Sequence, residues 1–154
     1  MSFNQGAVQA LFAAILSEAK QLAIFANVYA HEPKSAPGNY LNCAVWLESI
    51  QPVRTSGLAE TSGKVTFTAR IYYPMLQKPG DDIDPDILTA TCQLFEVLSE
   101  GFTLGGTVRA VDLLGMEGPA FGAQAAYVSQ DNRLFRVMDI SIPIVINDLW
   151  TQEA

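Results

Sequence analysis

Few residues in this chain are of types that carry chemistry, and their spacing argues against catalysis. His31 is the only histidine and stands beside Glu32. A lone imidazole without a second ligand nearby, or a Ser or Cys partner in a nucleophile motif, reads as an ordinary loop residue. Asp81, Asp82, Asp84 and Asp86 form an acidic run that invites a calcium reading. The run lacks the glycine at the sixth position and the glutamate at the twelfth of an EF-hand loop, so helix capping and solvation explain it better. Cys43 and Cys92 sit in separate apolar-periodic segments without a CxxC pair, and both are expected to be buried free thiols. Gly105 and Gly106 precede a strand pattern, whereas a phosphate loop needs a helix to follow. No GxSxG elbow, P-loop, GxGxxG fingerprint, HExxH pair or zinc-ribbon spacing occurs. The residues therefore assign no catalytic centre, metal or cofactor, and the chain is expected not to be an enzyme.

The totals point the same way. One domain is expected from 154 residues. Apolar types make up 49% and charged types only 16%, so part of the surface is expected to be covered by partners. A net charge of -7 with nine Lys and Arg argues against sequence-specific nucleic-acid binding, though DNA can pass beside an acidic wall. The start, MSFNQG, lacks the basic region of a signal peptide, and no apolar run is long enough for a membrane span, so a cytoplasmic protein is expected.

These residues must be positioned by elements read from periodicity. Residues 2 to 26 place Val8, Leu11, Phe12, Ile15, Leu16, Ala19, Leu22 and Ala23 on one helical face, with Ser2 and Gln5 as a capping box. A loop over 27 to 40 follows a short apolar element. Leu41 to Ile50 alternates as a strand with Leu41, Cys43, Val45 and Leu47 inward; Trp46 faces away, to pack on the first helix or to anchor an interface. Lys64 to Tyr73 alternates with Val65, Phe67, Ala69, Ile71 and Tyr73 inward and Lys64, Thr66, Thr68, Arg70 and Tyr72 outward. Two long loops, 51 to 63 and 74 to 83, lie on either side of that strand. A second helix starts with Asp84 as its cap and Pro85 at its first position, buries Ile87, Thr91, Leu94, Phe95 and Leu98, and ends near Gly101. Strands over 107 to 114 and 120 to 129 complete the pattern.

The chain is organised around its last apolar run, Leu134 to Ile146. Leu134, Met138, Ile140, Ile142, Ile144 and Ile146 share one face, interrupted by Arg136, and form the expected core. The other face, Phe135, Val137, Asp139, Ser141, Pro143 and Val145, suits a second covered surface. Pro143 cannot donate to a ladder, which predicts a sheet edge or a bulge there. Leu149 and Trp150 follow and are expected to dock on something. The fold class is α+β: a single domain with a mixed, mostly antiparallel sheet packed against two main helices.

The segments NVYAHEPKSAP at 27 to 37, CAVWLESIQPV at 43 to 53, FTARIYYPM at 67 to 75 leading into DDIDPDIL at 81 to 88, and FRVMDISIPIVINDLW at 135 to 150 span nearly the whole chain. With them, the sequence resembles the tail terminator (tail completion) proteins of long-tailed bacteriophages and prophages. The resemblance implies a ring, usually of six copies, on the head-proximal end of the tail tube. Such a ring ends tube polymerisation and offers its other face to the head-tail connector or head-closure protein, within a virion neck assembled in the host cytoplasm. Ring contacts join unlike patches. Under this reading Arg70, Tyr72, Asp139 and Trp150 are expected at subunit contacts. The loop residues Arg54, Leu58, Met75 and Lys78 are expected to reach the tube or connector, and Asp81, Asp82, Asp84 and Asp86, with Glu96 and Glu100, to make an acidic lumen. Another neck component or minor tail protein is the alternative within the same class. A small-molecule-binding α+β domain or a small enzyme is the alternative from another class.

Overall fold

The computed structural model describes residues 2–53, 60–76, 80–99, 108–112, 114–115, 118 and 120–151. In order these form β1 (Ser2–Phe3), α1 (Gln5–Gln21), β2 (Asn27–Tyr29), β3 (Asn42–Val53), β4 (Glu60–Pro74), a 3-10 turn (Gly80–Asp82), α2 (Ile83–Ser99), β5 (Val108–Val111), β6 (Gly122–Gln130) and β7 (Arg133–Thr151). The seven strands make one sheet in the order β1-β7-β4-β3-β2, with β5 and β6 also on β7. Among the described residues only β2 and β3 pair in parallel. This is a mixed, mostly antiparallel α+β domain with two main helices, as the periodicity predicts.

β7 is the hub. One of its edges pairs with β4 from Phe135 to Thr151. Along its other edge β6, β5 and β1 follow one another, meeting Arg133 to Ser141, Ile144 to Ile146, and Trp150 to Thr151. The expectation of an edge or a bulge at Pro143 is corrected: the strand is internal, and the proline sits at a break between two partners. Its carbonyl accepts from Asp112 N at 2.9 Å. Its nitrogen faces the same way, into the gap after β6 ends and before β5 begins, so the missing donor breaks no ladder bond.

Both helices cover one sheet face. Leu11, Ile15 and Ala19 of α1 and Ile87, Ala90, Leu94 and Leu98 of α2 pack on Val65, Phe67, Ala69, Ile71, Ile140, Ile142, Ile144 and Ile146. Phe12 stacks on Phe67 with centroids 5.5 Å apart. The expected helix over 2 to 26 is shorter at both ends. Asn4, not Ser2, caps it, accepting from Ala7 N at 3.1 Å. Ser2 and Phe3 instead pair with the end of β7. At the start of α2, Asp84 lies inside the first turn rather than at the cap. It accepts from Arg136 Nε at 3.2 Å, while Asp86 accepts from the Tyr73 hydroxyl at 3.1 Å. Burial, followed by Asp86, raises the Tyr73 phenol above its ordinary value.

The opposite face is covered too. Ala44, Tyr72, Phe135 and Val137 form a second buried cluster, with Tyr29, Ala36, Trp46, Ala126 and Val128 packed against it. The loop after β2 lies over this face as a strap. Gln130 Nε2 donates to Pro33 O at 2.8 Å, Ala36 N donates to Asp131 Oδ2 at 2.6 Å, and Arg133 donates to Asn39 Oδ1 at 2.9 Å. These bonds tie the strap to the β6–β7 turn. That turn has positive φ at both Asp131 and Asn132, the conformation a two-residue hairpin favours.

Candidate assembly surface

Three of the four residues expected at subunit contacts, Arg70, Tyr72 and Asp139, meet on the outer sheet face. Arg70 and Asp139 are direct cross-strand partners on β4 and β7. Arg70 Nε donates to Asp139 Oδ1 at 2.5 Å and Nη2 to Oδ2 at 3.4 Å. The guanidinium also lies 5.4 Å from the Trp46 ring and 5.8 Å from the Tyr72 ring. Burial works against its charge, but hydrogen bonds to Asp139 and Tyr72 outweigh this and hold Arg70 above its ordinary value. Burial likewise raises the Tyr72 phenol, against the opposing pull of Arg70. Nearby, Glu48 Oε2 accepts from Trp46 Nε1 at 3.3 Å and from the Thr68 hydroxyl at 3.1 Å. The sequence placed Arg70 and Asp139 on this face without pairing them. Joined to each other, they form a polar centre whose charges are met within one copy.

Tyr72 shares this face, as expected, but is buried there, edge-on to Phe135 at 5.9 Å. The other expected residues fall elsewhere. Trp150 lies half-buried at the far end of β7 beside Phe3, 5.3 Å between centroids, while Leu149 is fully buried in the main core. Met75 is half-buried on the main core, its N donating to Leu134 O at 2.9 Å. Arg54, Leu58, Lys78 and Glu100 lie outside the described residues. Of the loop read over 51 to 63, residues 51–53 and 60–63 are strand, with Gln51 to Val53 paired to Ser62 to Lys64, and 54–59 lie outside the described residues. Asp81 and Asp82 are exposed on the 3-10 turn, whereas Asp84 and Asp86 are engaged as described.

Several features escape a period-two reading. Lys64 reads as outward but is buried and pairs with Asp112 at 2.8 Å. Leu134, read as core, is exposed at the hairpin end. Leu47, read as inward, lies on the inward face opposite Phe67, ahead of the register shift at Glu48, yet is 47% exposed. It borders an apolar groove of about 410 Å³ with Val8, Phe12, Trp46 and Phe67. Cys92 is exposed on α2, correcting the expectation of burial; Cys43 is buried, which pushes its thiol up to about 12. His31 is exposed, its Nδ1 3.2 Å from Glu32 O.

Among the described residues no group of three His, Cys, Asp or Glu is placed to hold a metal. Among them, no helix is long and apolar enough to cross a membrane. No known protein-family model matches the chain, and no curated protein matches it either. The fold defines the class: a single-sheet α+β domain with two helices on one face and a strap on the other.

Proposed function

We propose that this chain is a structural assembly protein that forms a ring, of six copies by its resemblance to tail terminators, capping the head-proximal end of a phage tail tube. One observation carries the assembly part of the reading. Among the described residues, large apolar side chains stand outside the buried core: Leu76 is 92% exposed, Leu114 86%, Leu88 62% and Leu134 50%. With so few charged residues among them, such side chains are natural candidates for burial between subunits or against tube and connector. The ring and its place in the neck rest on the segments that resemble the terminator family. Exposed Asp81 and Asp82 remain candidates for a repulsive lumen.

Light scattering over a concentration series, with negative-stain images, tests this. Closed rings of about six subunits, free or recruited onto added tail tubes, are the expected result. A monomer that leaves added tubes uncapped overturns it. A second reading, a small-molecule-binding domain, is favoured by the groove beside Trp46. A small molecule retained through purification and found there by mass spectrometry decides for that reading.

A further inference from the structure

Among the described residues the sheet has two open edges, and they are unlike. Within β7, Pro143 O accepts from the β5 side and Leu134 O from the β4 side. Odd-numbered residues of this stretch therefore direct their backbone groups away from β4, towards β6. By the register, Gly122, Gln124, Ala126, Val128 and Gln130 bond to β7. Ala123, Ala125, Tyr127 and Ser129 then point their amides and carbonyls off the sheet. Natural edge strands are blunted by charge, proline or a bulge. β6 has no charged residue, no proline and an unbroken register with β7.

The far edge is shorter. β2 covers β3 only at Asn42 to Ala44. Ala26 N donates to Leu41 O, so by alternation Val45 and Leu47 direct their backbone groups outward. There the edge opens on the apolar groove between Phe12, Trp46 and Leu47. Beyond it, the irregularity at Glu48 and then Pro52 close the edge.

We propose that β6 of one copy of this chain adds to the β3 edge of the next at Val45 to Leu47, seating its alanines in that groove. The inference rests on the ring reading and supplies its subunit contact. Strand direction alternates from β6 through β7 and β4 to β3. A head-to-tail neighbour thus brings β6 antiparallel to β3 and continues the alternation. The groove walls are large side chains, so the incoming strand must carry small ones, and β6 offers Ala123, Ala125 and Ala126. The two patches differ, as a ring contact requires.

The test uses the full chain with Cys92→Ser, leaving the buried Cys43 in place. Leu47→Cys and Ala125→Cys are introduced singly and together, and the assembled protein is treated with a short bis-maleimide. The double variant is expected to give a ladder of covalent species ending at the ring size, with each single variant monomeric on a denaturing gel. Dimers from Ala125→Cys alone would mean β6 pairs with itself across a two-fold axis, and would overturn the proposal. Rings without cross-links would overturn it while leaving the ring reading standing; absence of both rings and cross-links would remove both. As a second measurement, Ala125→Pro removes an outward amide and is expected to abolish ring mass with an unchanged far-UV spectrum. Ala126→Pro removes an amide bonded to β7 and is expected to unfold the chain. A full-size ring from Ala125→Pro would also overturn the proposal.

Discussion

Lys64 and Asp112 face each other at 2.8 Å with side chains 1% and 7% exposed, on the sheet face away from the helices. Gly118 folds so close that a Cβ there would lie 3.2 Å from Lys64 Nζ. The pair therefore fastens the segment between β5 and β6 to the middle of the sheet. A buried pair is worth little against an apolar replacement, but removing one member costs more, because the buried charge that remains loses its counter-charge. Asp112→Ala is expected to cost about 3–5 kcal/mol in urea unfolding. The double replacement Lys64→Met with Asp112→Leu should recover most of that loss; no recovery would mean the pair is not the cause.

The Arg70–Asp139 pair is partly buried, its side chains 20% and 35% exposed, and the guanidinium lies over the Trp46 and Tyr72 rings. Arg70→Glu sets two carboxylates against each other and is expected to destabilise the isolated subunit by about 2 kcal/mol. Adding Asp139→Arg should restore at least half of it. A loss of ring mass in the stable double variant, beyond the effect on the subunit, would locate this centre at an interface. An unchanged mass would confine it to the fold.

Gly63 opposes the point where β7 shifts register, and a Cβ there would stand 2.3 Å from Leu149 Cδ2 and 3.1 Å from Trp150 Cζ3. That close approach lets Leu149 re-enter the core after the irregularity. Gly63→Ala should cost about 1–3 kcal/mol through overpacking. Leu149→Ala alone should cost about 2–5 kcal/mol. The double variant should lose less than the sum of the two single losses, because the clash is gone; full additivity would show that the sites do not touch.

The reach of sequence reasoning follows from where the information lies. Alternation in Val65, Phe67, Ala69, Ile71 and Tyr73 found the helix-covered face, because burial there is set by each strand's own period. The same rule failed for Lys64, Thr66 and Tyr72, which are buried by distant segments: the strap and the stretch around Asp112. Nothing in a strand's own residues announces a loop that will cross it. Leu47 keeps the inward face, opposite Phe67, and is exposed all the same; the extra residue Glu48 inverts the face only for Ser49 and Ile50, which follow it. At the candidate site, residue types flagged Arg70 and Asp139, but only the register made them partners.

Alkaline pH supplies a prediction from Cys43. Its folded value lies near 12 and its ordinary value is 9.0, so between these the unfolded chain loses the thiol proton and the folded chain keeps it. The unfolded state then binds fewer protons, and stability falls as pH rises, by about 1.4 kcal/mol per unit for one such group. Tyr72 and Tyr73, also raised, act in the same direction above 10. Cys43→Ala should flatten the part of the decline between 9 and 12, read as the unfolding midpoint against pH. An equal slope in both proteins would assign the decline to the tyrosines.

Because β1, β4, β5 and β6 all pair with β7, four ladders share one strand that the ribosome makes after all the others. Until Arg133 to Thr151 emerge, a nascent chain holds Phe67, Ile71 and their neighbours on a half-finished sheet. The contacts that finish it are among the longest-range in the chain, such as Phe3 with Trp150. Synthesis interrupted before β7 would leave those apolar strands without their central partner, open to holdase capture or aggregation rather than slow refolding.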